Sequence, residues 1–73
     1  MFVNEELDTI IFHYENLKRI DERHLMEVEH FIKISLELLN ENDLRNLDGK
    51  MKMYNNRINL YKSIIDKARK MKS

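Results

Sequence analysis

Leu44, Leu47, Met51, Tyr54, Ile58, Tyr61, Ile65 and Ala68 recur at alternating spacings of three and four within LRNLDGKMKMYNNRINLYKSIIDKARKM, residues 44–71. This is an unbroken heptad seam, the pattern of a long helix laid against another helix. Asp48-Gly49 is a turn-like dipeptide inside it. The seam keeps its phase across the pair, however, and Gly49 falls at an outward f position. There a glycine costs about 1 kcal/mol against alanine without ending the helix.

The residues before the seam repeat the pattern. Leu7, Ile10, Tyr14, Leu17, Val28, Phe31 and Leu38 occupy a and d positions, and Ile11, Leu25, Ile32 and Leu39 at e widen the stripe. A face of that width suits a bundle core better than a two-stranded seam. Asp21 and His24 interrupt it. Either the helix runs on and the two form a polar layer, or it breaks near Ile20 with Asp21 as an N-cap. No glycine or proline supports a break.

Asn4 is an N-cap candidate, with Glu5 and Glu6 placed for the helix dipole. Asn40-Glu41-Asn42-Asp43 reads as the turn, with Asn40 ending one helix and Asp43 capping the next. So short a connection makes the helices antiparallel neighbours. The expected fold is all-α, a helical hairpin of two long helices, about 4–39 and 43–71, in one domain spanning 1–73. It gains a third helix if the first breaks near 20–21. A turn centred near 41–42 sets residue i opposite about residue 83 − i. Asp21 then faces Lys62, His24 lies near Ile58 and Tyr61, and the first ten residues overhang the C-terminus.

Bulk composition narrows the function. At 73 residues without cysteine, no disulfide or thiolate metal site can supplement a small core, and such chains commonly gain core by oligomerising. The overhanging Leu7 and Ile10 and the wide face of residues 25–39 call for a second copy, giving a four-helix bundle homodimer. Charged residues make up 36% of the chain, with no proline and one glycine. That composition disfavours a sheet protein. The N-terminus lacks a basic and apolar signal-peptide pattern. No run is long and apolar enough to span a membrane. A cytoplasmic protein is the expectation.

Residues 1–41 hold ten acids and four bases, and residues 42–73 hold three acids and nine bases, so the halves carry −6 and +6. Asp8, Glu15, Glu22 and Glu29 recur every seven residues, while Lys50, Arg57, Lys62 and Arg69 flank the second seam. An acidic helix packed antiparallel on a basic one accounts for both sets.

Candidate chemistry is sparse. Glu27-x-x-His30 matches half of a di-iron motif of four-helix bundles. The pair points away from the seam, and residues 44–71 contain no glutamate, so no metal and no cofactor are expected. Without cysteine, a glycine-rich loop or a strained nucleophile turn, the chain reads as a non-enzyme. Glu6-Leu7-Asp8 followed by Ile11 and Tyr14 resembles the Glu-Leu-Asp-x-x-Ile-x-x-Tyr end of the signature in small sporulation aspartyl-phosphate phosphatases, which are short helical hairpins. That family has Ser-Gln where this chain has Asn4-Glu5. Its signature lies on the second helix, whereas this stretch opens the first, and we assign no family on it.

Phe12 and Met26 at f and Leu36 at b are outward apolar residues and candidate contacts for a partner protein. Lys52, Lys67 and Lys70 face outward on the basic helix and are the candidates if the partner is nucleic acid instead. The expected function is a small interaction or regulatory protein, acting as a homodimeric bundle on another protein. A nucleic-acid-binding hairpin dimer is the alternative.

Overall fold

The computed structural model describes residues 2–72. It is a hairpin of two helices, α1 (Asn4–Ser35) and α2 (Glu41–Met71), joined by a 3₁₀ turn at Leu36–Leu38. The two helices are 32 and 31 residues long, and the molecule measures 53 × 15 × 12 Å. Helix α1 runs through Asp21 without a break, so the three-helix alternative does not occur.

The start of α2 is capped reciprocally, that of α1 by a single arm. Val3, not Asn4, is the N-cap of α1, and its N–H donates to Glu6 Oε1 at 3.2 Å. At α2 the Asp43 N–H donates to Asn40 Oδ1 at 2.8 Å, and the Asn40 N–H donates to Asp43 Oδ2 at 3.2 Å. Asn40 therefore begins the second helix rather than ending the first, and Asp43 sits inside the box.

That role draws the turn back along the chain. An extended Asn40, with ψ 175°, cannot also close α1 in a left-handed conformation, and no described residue has positive φ. The first helix stops at Ser35, about four residues before the boundary expected from polarity alone. Leu36–Leu38 tighten into 3₁₀ geometry, the usual device where a helix end must be finished in little chain.

The earlier turn shifts the register. Asp21 lies against Arg57 rather than Lys62, and His24 against Tyr54 rather than Tyr61. Opposed residue numbers there total 78, not about 83. The expected overhang disappears. Leu7 is 1% exposed, and Asp8 is ion-paired with Lys72.

All eight residues of the α2 seam are buried or half-buried. Ile58, Ile65 and Ala68, with Leu7, form the buried apolar core near the open end of the hairpin. On α1 the face leans from d towards e. Leu7, Ile11, Tyr14, Asp21, Leu25, Val28 and Ile32 are covered, while Phe31 at d stays 46% exposed. The acid-on-base arrangement is present, as Glu15 Oε1 lies 2.6 Å from Arg69 Nη2.

Gly49 lies within α2 with φ in the ordinary negative range, and a Cβ added there meets nothing within 4 Å. Gly49→Ala is therefore expected to stabilise the fold by about 0.5–1 kcal/mol through the entropy of the unfolded chain. Asn40→Ala should cost about 1 kcal/mol by removing one arm of the cap. Urea unfolding followed by circular dichroism checks both.

Candidate interaction surface

The two long flanks of the hairpin differ in chemistry. On one, Glu15 and Lys18 of α1 meet Lys62, Asp66 and Arg69 of α2 across a polar cleft. Its charges are largely matched within the chain, through Glu15–Arg69, Asp8–Lys72 and Lys18–Glu22.

The other flank is apolar. Phe31, Glu27 and His24 of α1 meet Lys50 and Tyr54 of α2 there, around an open groove of about 300 Å³. Helical periodicity carries the same flank along α1 through d and g positions, and along α2 through g and c positions. Ile20 (49% exposed), Phe31 and Ile34 thus share a side with Met53, Leu60 (57%) and Met71. Ile10, Leu17 and Ile64, all half-buried, lie beneath them. Single exposed apolar residues are ordinary; here several share one side, interrupted by His24, Glu27, Lys50, Arg57 and Lys67.

The flank runs into an apolar tip. Ile34, Leu36 and Leu38 are 68%, 56% and 86% exposed around the 3₁₀ turn. Turns usually carry polar side chains, so three consecutive alternate apolar residues at a hairpin tip add to the surface.

A polar layer crosses the middle of the hairpin. Asp21 is 1% exposed, and its Oδ2 lies 3.0 Å from Arg57 Nε. The Nε–H is directed instead at the Tyr61 hydroxyl, 3.4 Å away, so Oδ2 is held by charge without a hydrogen bond. The Tyr61 hydroxyl, and then the Asp21 carboxylate, hold the Arg57 guanidinium above its ordinary pKa. His24 Nδ1 is 3.9 Å from Asp21 Oδ1, and its ring lies 5.4 Å from that of Tyr54. Tyr14 and Tyr61 continue the layer, with ring centroids 5.8 Å apart.

Phe12 and Met26 are exposed, at 66% and 68%, on the part of α1 turned away from α2. They do not join Leu36, which lies at the tip. Ile34 and Leu38, beside Leu36, and the flank itself escaped the sequence reading. Their signal was present as a second, interrupted stripe in heptad phase on each helix: Ile10, Leu17, Ile20, Phe31 and Ile34, then Met53, Leu60, Ile64 and Met71.

Lys52, Lys67 and Lys70 are all exposed. Lys52 pairs with Asp48 at 3.0 Å and Lys70 with Asp66 at 3.1 Å, so only Lys67 carries charge not matched one turn away. Glu27 and His30 lie exposed on α1. Among the described residues no three His, Cys, Asp or Glu side chains group as metal ligands. No helix is long and apolar enough to cross a membrane. Neither a family model, nor a curated protein, nor a solved structure matches the chain.

The polar layer yields a test. Arg57→Met strands a buried carboxylate and should lower the thermal midpoint, whereas Lys62→Met should leave it unchanged. Joint replacement by Asp21→Leu and Arg57→Met should restore or raise it, because the buried carboxylate goes with its exposed partner and no uncompensated charge is left inside. Thermal melts followed by circular dichroism give the order.

Proposed function

We propose that this chain is a cytoplasmic interaction protein that dimerises into a four-helix bundle and acts by engaging another protein. The observation carrying this reading is the apolar flank shared by both helices and continued into the tip. In a hairpin only 12 Å thick, the core between the helices is thin, and burying that flank would roughly double the packed layers.

The dimensions support a stable contact. A face of 53 by 15 Å offers about 800 Å² per copy, the size of a standard specific interface. The charge pattern supports it too. The flank carries Glu6, Glu27, Asp43, Lys50 and Lys67 besides the internally paired Arg57, fewer charges than the b and e positions of the opposite flank hold. With the flank closed in a dimer, the charged flank, Phe12 and Met26 stay available for regulatory contacts with a second protein. Ion pairing of Lys52 and Lys70 within α2 weighs against nucleic acid as that partner, since binding there depends on free cationic charge.

Sedimentation should find a dimer at micromolar concentration, with a thermal midpoint that rises with protein concentration. Ile20→Glu combined with Leu60→Glu should give a helical monomer, because both side chains lie outside the core of the single hairpin. Phe12→Glu should leave the dimer intact. A wild-type monomer at high concentration, with a concentration-independent melt, overturns the reading.

A further inference from the structure

We infer that the second copy lies antiparallel on the apolar flank, on a two-fold axis that crosses the hairpin at Ile20, so that the tip of each copy rests on the open end of the other. The inference rests on reading the flank as a dimer face and adds its orientation. A two-fold contact requires a surface complementary to itself. The midpoint of α1 and the turn, between Asn4 and Leu36, is Ile20, at the level of the Asp21–Arg57 layer. Reversal about that level sets Ile20 against its own copy and Ile10 against Phe31 of the other chain. It also sets His13 against Glu27, and Met53 on α2 against Ile64.

Placing both tips at the same end is the competing arrangement. It gains a Glu27–Lys50 pair between copies and avoids bringing Lys50 near Lys67. It sets Ile10 against Lys67, Ile20 against Arg57, Phe31 against Asn46 and Ile34 against Asp43, however, leaving four large apolar side chains on polar ones, where reversed packing leaves Ile34 on Glu6 and Leu60 on Arg57. A rim ion pair contributes less than burying an isoleucine or phenylalanine, so the apolar match decides.

The ends of the hairpin agree. Residues 34–43, around the tip, hold three acids and no base. Residues 2–8 and 67–72, at the open end, together hold three acids and four bases. Reversed packing sets the acidic tip beside an end whose charges nearly balance, whereas tips placed together set three acids against three. The apolar side chains match in the same way. Ile34 and Leu38 at the tip, and Phe2, Val3 and Met71 at the open end, are each about half exposed or more in the single hairpin.

The chain has no cysteine, so one can be introduced without background. A spin label on Leu38→Cys sits on an 86% exposed side chain and does not disturb the core. Dipolar spectroscopy of that dimer should report a separation of about 50 Å, twice the rise from Ile20 to the tip at 1.5 Å per residue. Ile20→Cys should form a disulfide-linked dimer under mild oxidation, whereas Phe12→Cys should not. A dimer with labels within about 20 Å, about twice the spacing of packed helices, overturns the orientation and leaves the dimer reading standing. Monomers at high concentration, with no dipolar signal and no Ile20→Cys cross-link, overturn both and assign the flank to a different protein.

Discussion

The cap formed by Asn40 and Asp43 governs the rest of the molecule. Two backbone N–H groups at the start of α2 receive side-chain acceptors, and Asn40 is held extended. Once Asn40 belongs to the second helix, the first must finish upstream, and the 3₁₀ turn at Leu36–Leu38 is where it does. Every cross-helix contact inherits that choice. Arg57 rather than Lys62 reaches Asp21, Tyr54 reaches His24, and Leu7 is covered instead of overhanging.

The helices themselves were legible in the sequence because their evidence is repetitive. Eight seam positions on α2 each reported the same face, and all eight are covered. The end of α1 was not legible. Leu36-Glu37-Leu38-Leu39 are good helix formers, and nothing in their propensities marks the stop at Ser35. A few residues of error at one turn then moved the partners of Asp21 and His24 by more than a helical turn. The Asp21–His24 layer was recognised and given the wrong neighbours for that reason alone.

The candidate surface was legible only in part. Phe12, Met26 and Leu36 stood out because they broke the heptad pattern. Ile20, Phe31, Met53 and Leu60 passed as members or neighbours of the stripe that holds the hairpin together. Distinguishing one apolar stripe from two requires knowing which side of each helix its neighbour occupies, and α1 leans on e rather than d. Phe31 shows the consequence, as a d residue left at the edge of the contact. The two flanks also divide the electrostatics. Acids and bases of one flank satisfy each other inside the chain, while the other carries fewer charges, set between exposed apolar side chains.

The turn also sets an order of assembly. Ends joined by the five residues between Ser35 and Glu41 meet at small entropic cost, and each layer further out closes only a slightly larger loop on one already shut. The hairpin can therefore zip from its tip. Contacts such as Asp8 with Lys72, and Leu7 in its apolar site, belong to the last layers to close and the first to open. The most fully covered leucine of the chain thus sits where fraying begins, and anything that clasps the open end lengthens the lifetime of the whole hairpin rather than of that end alone.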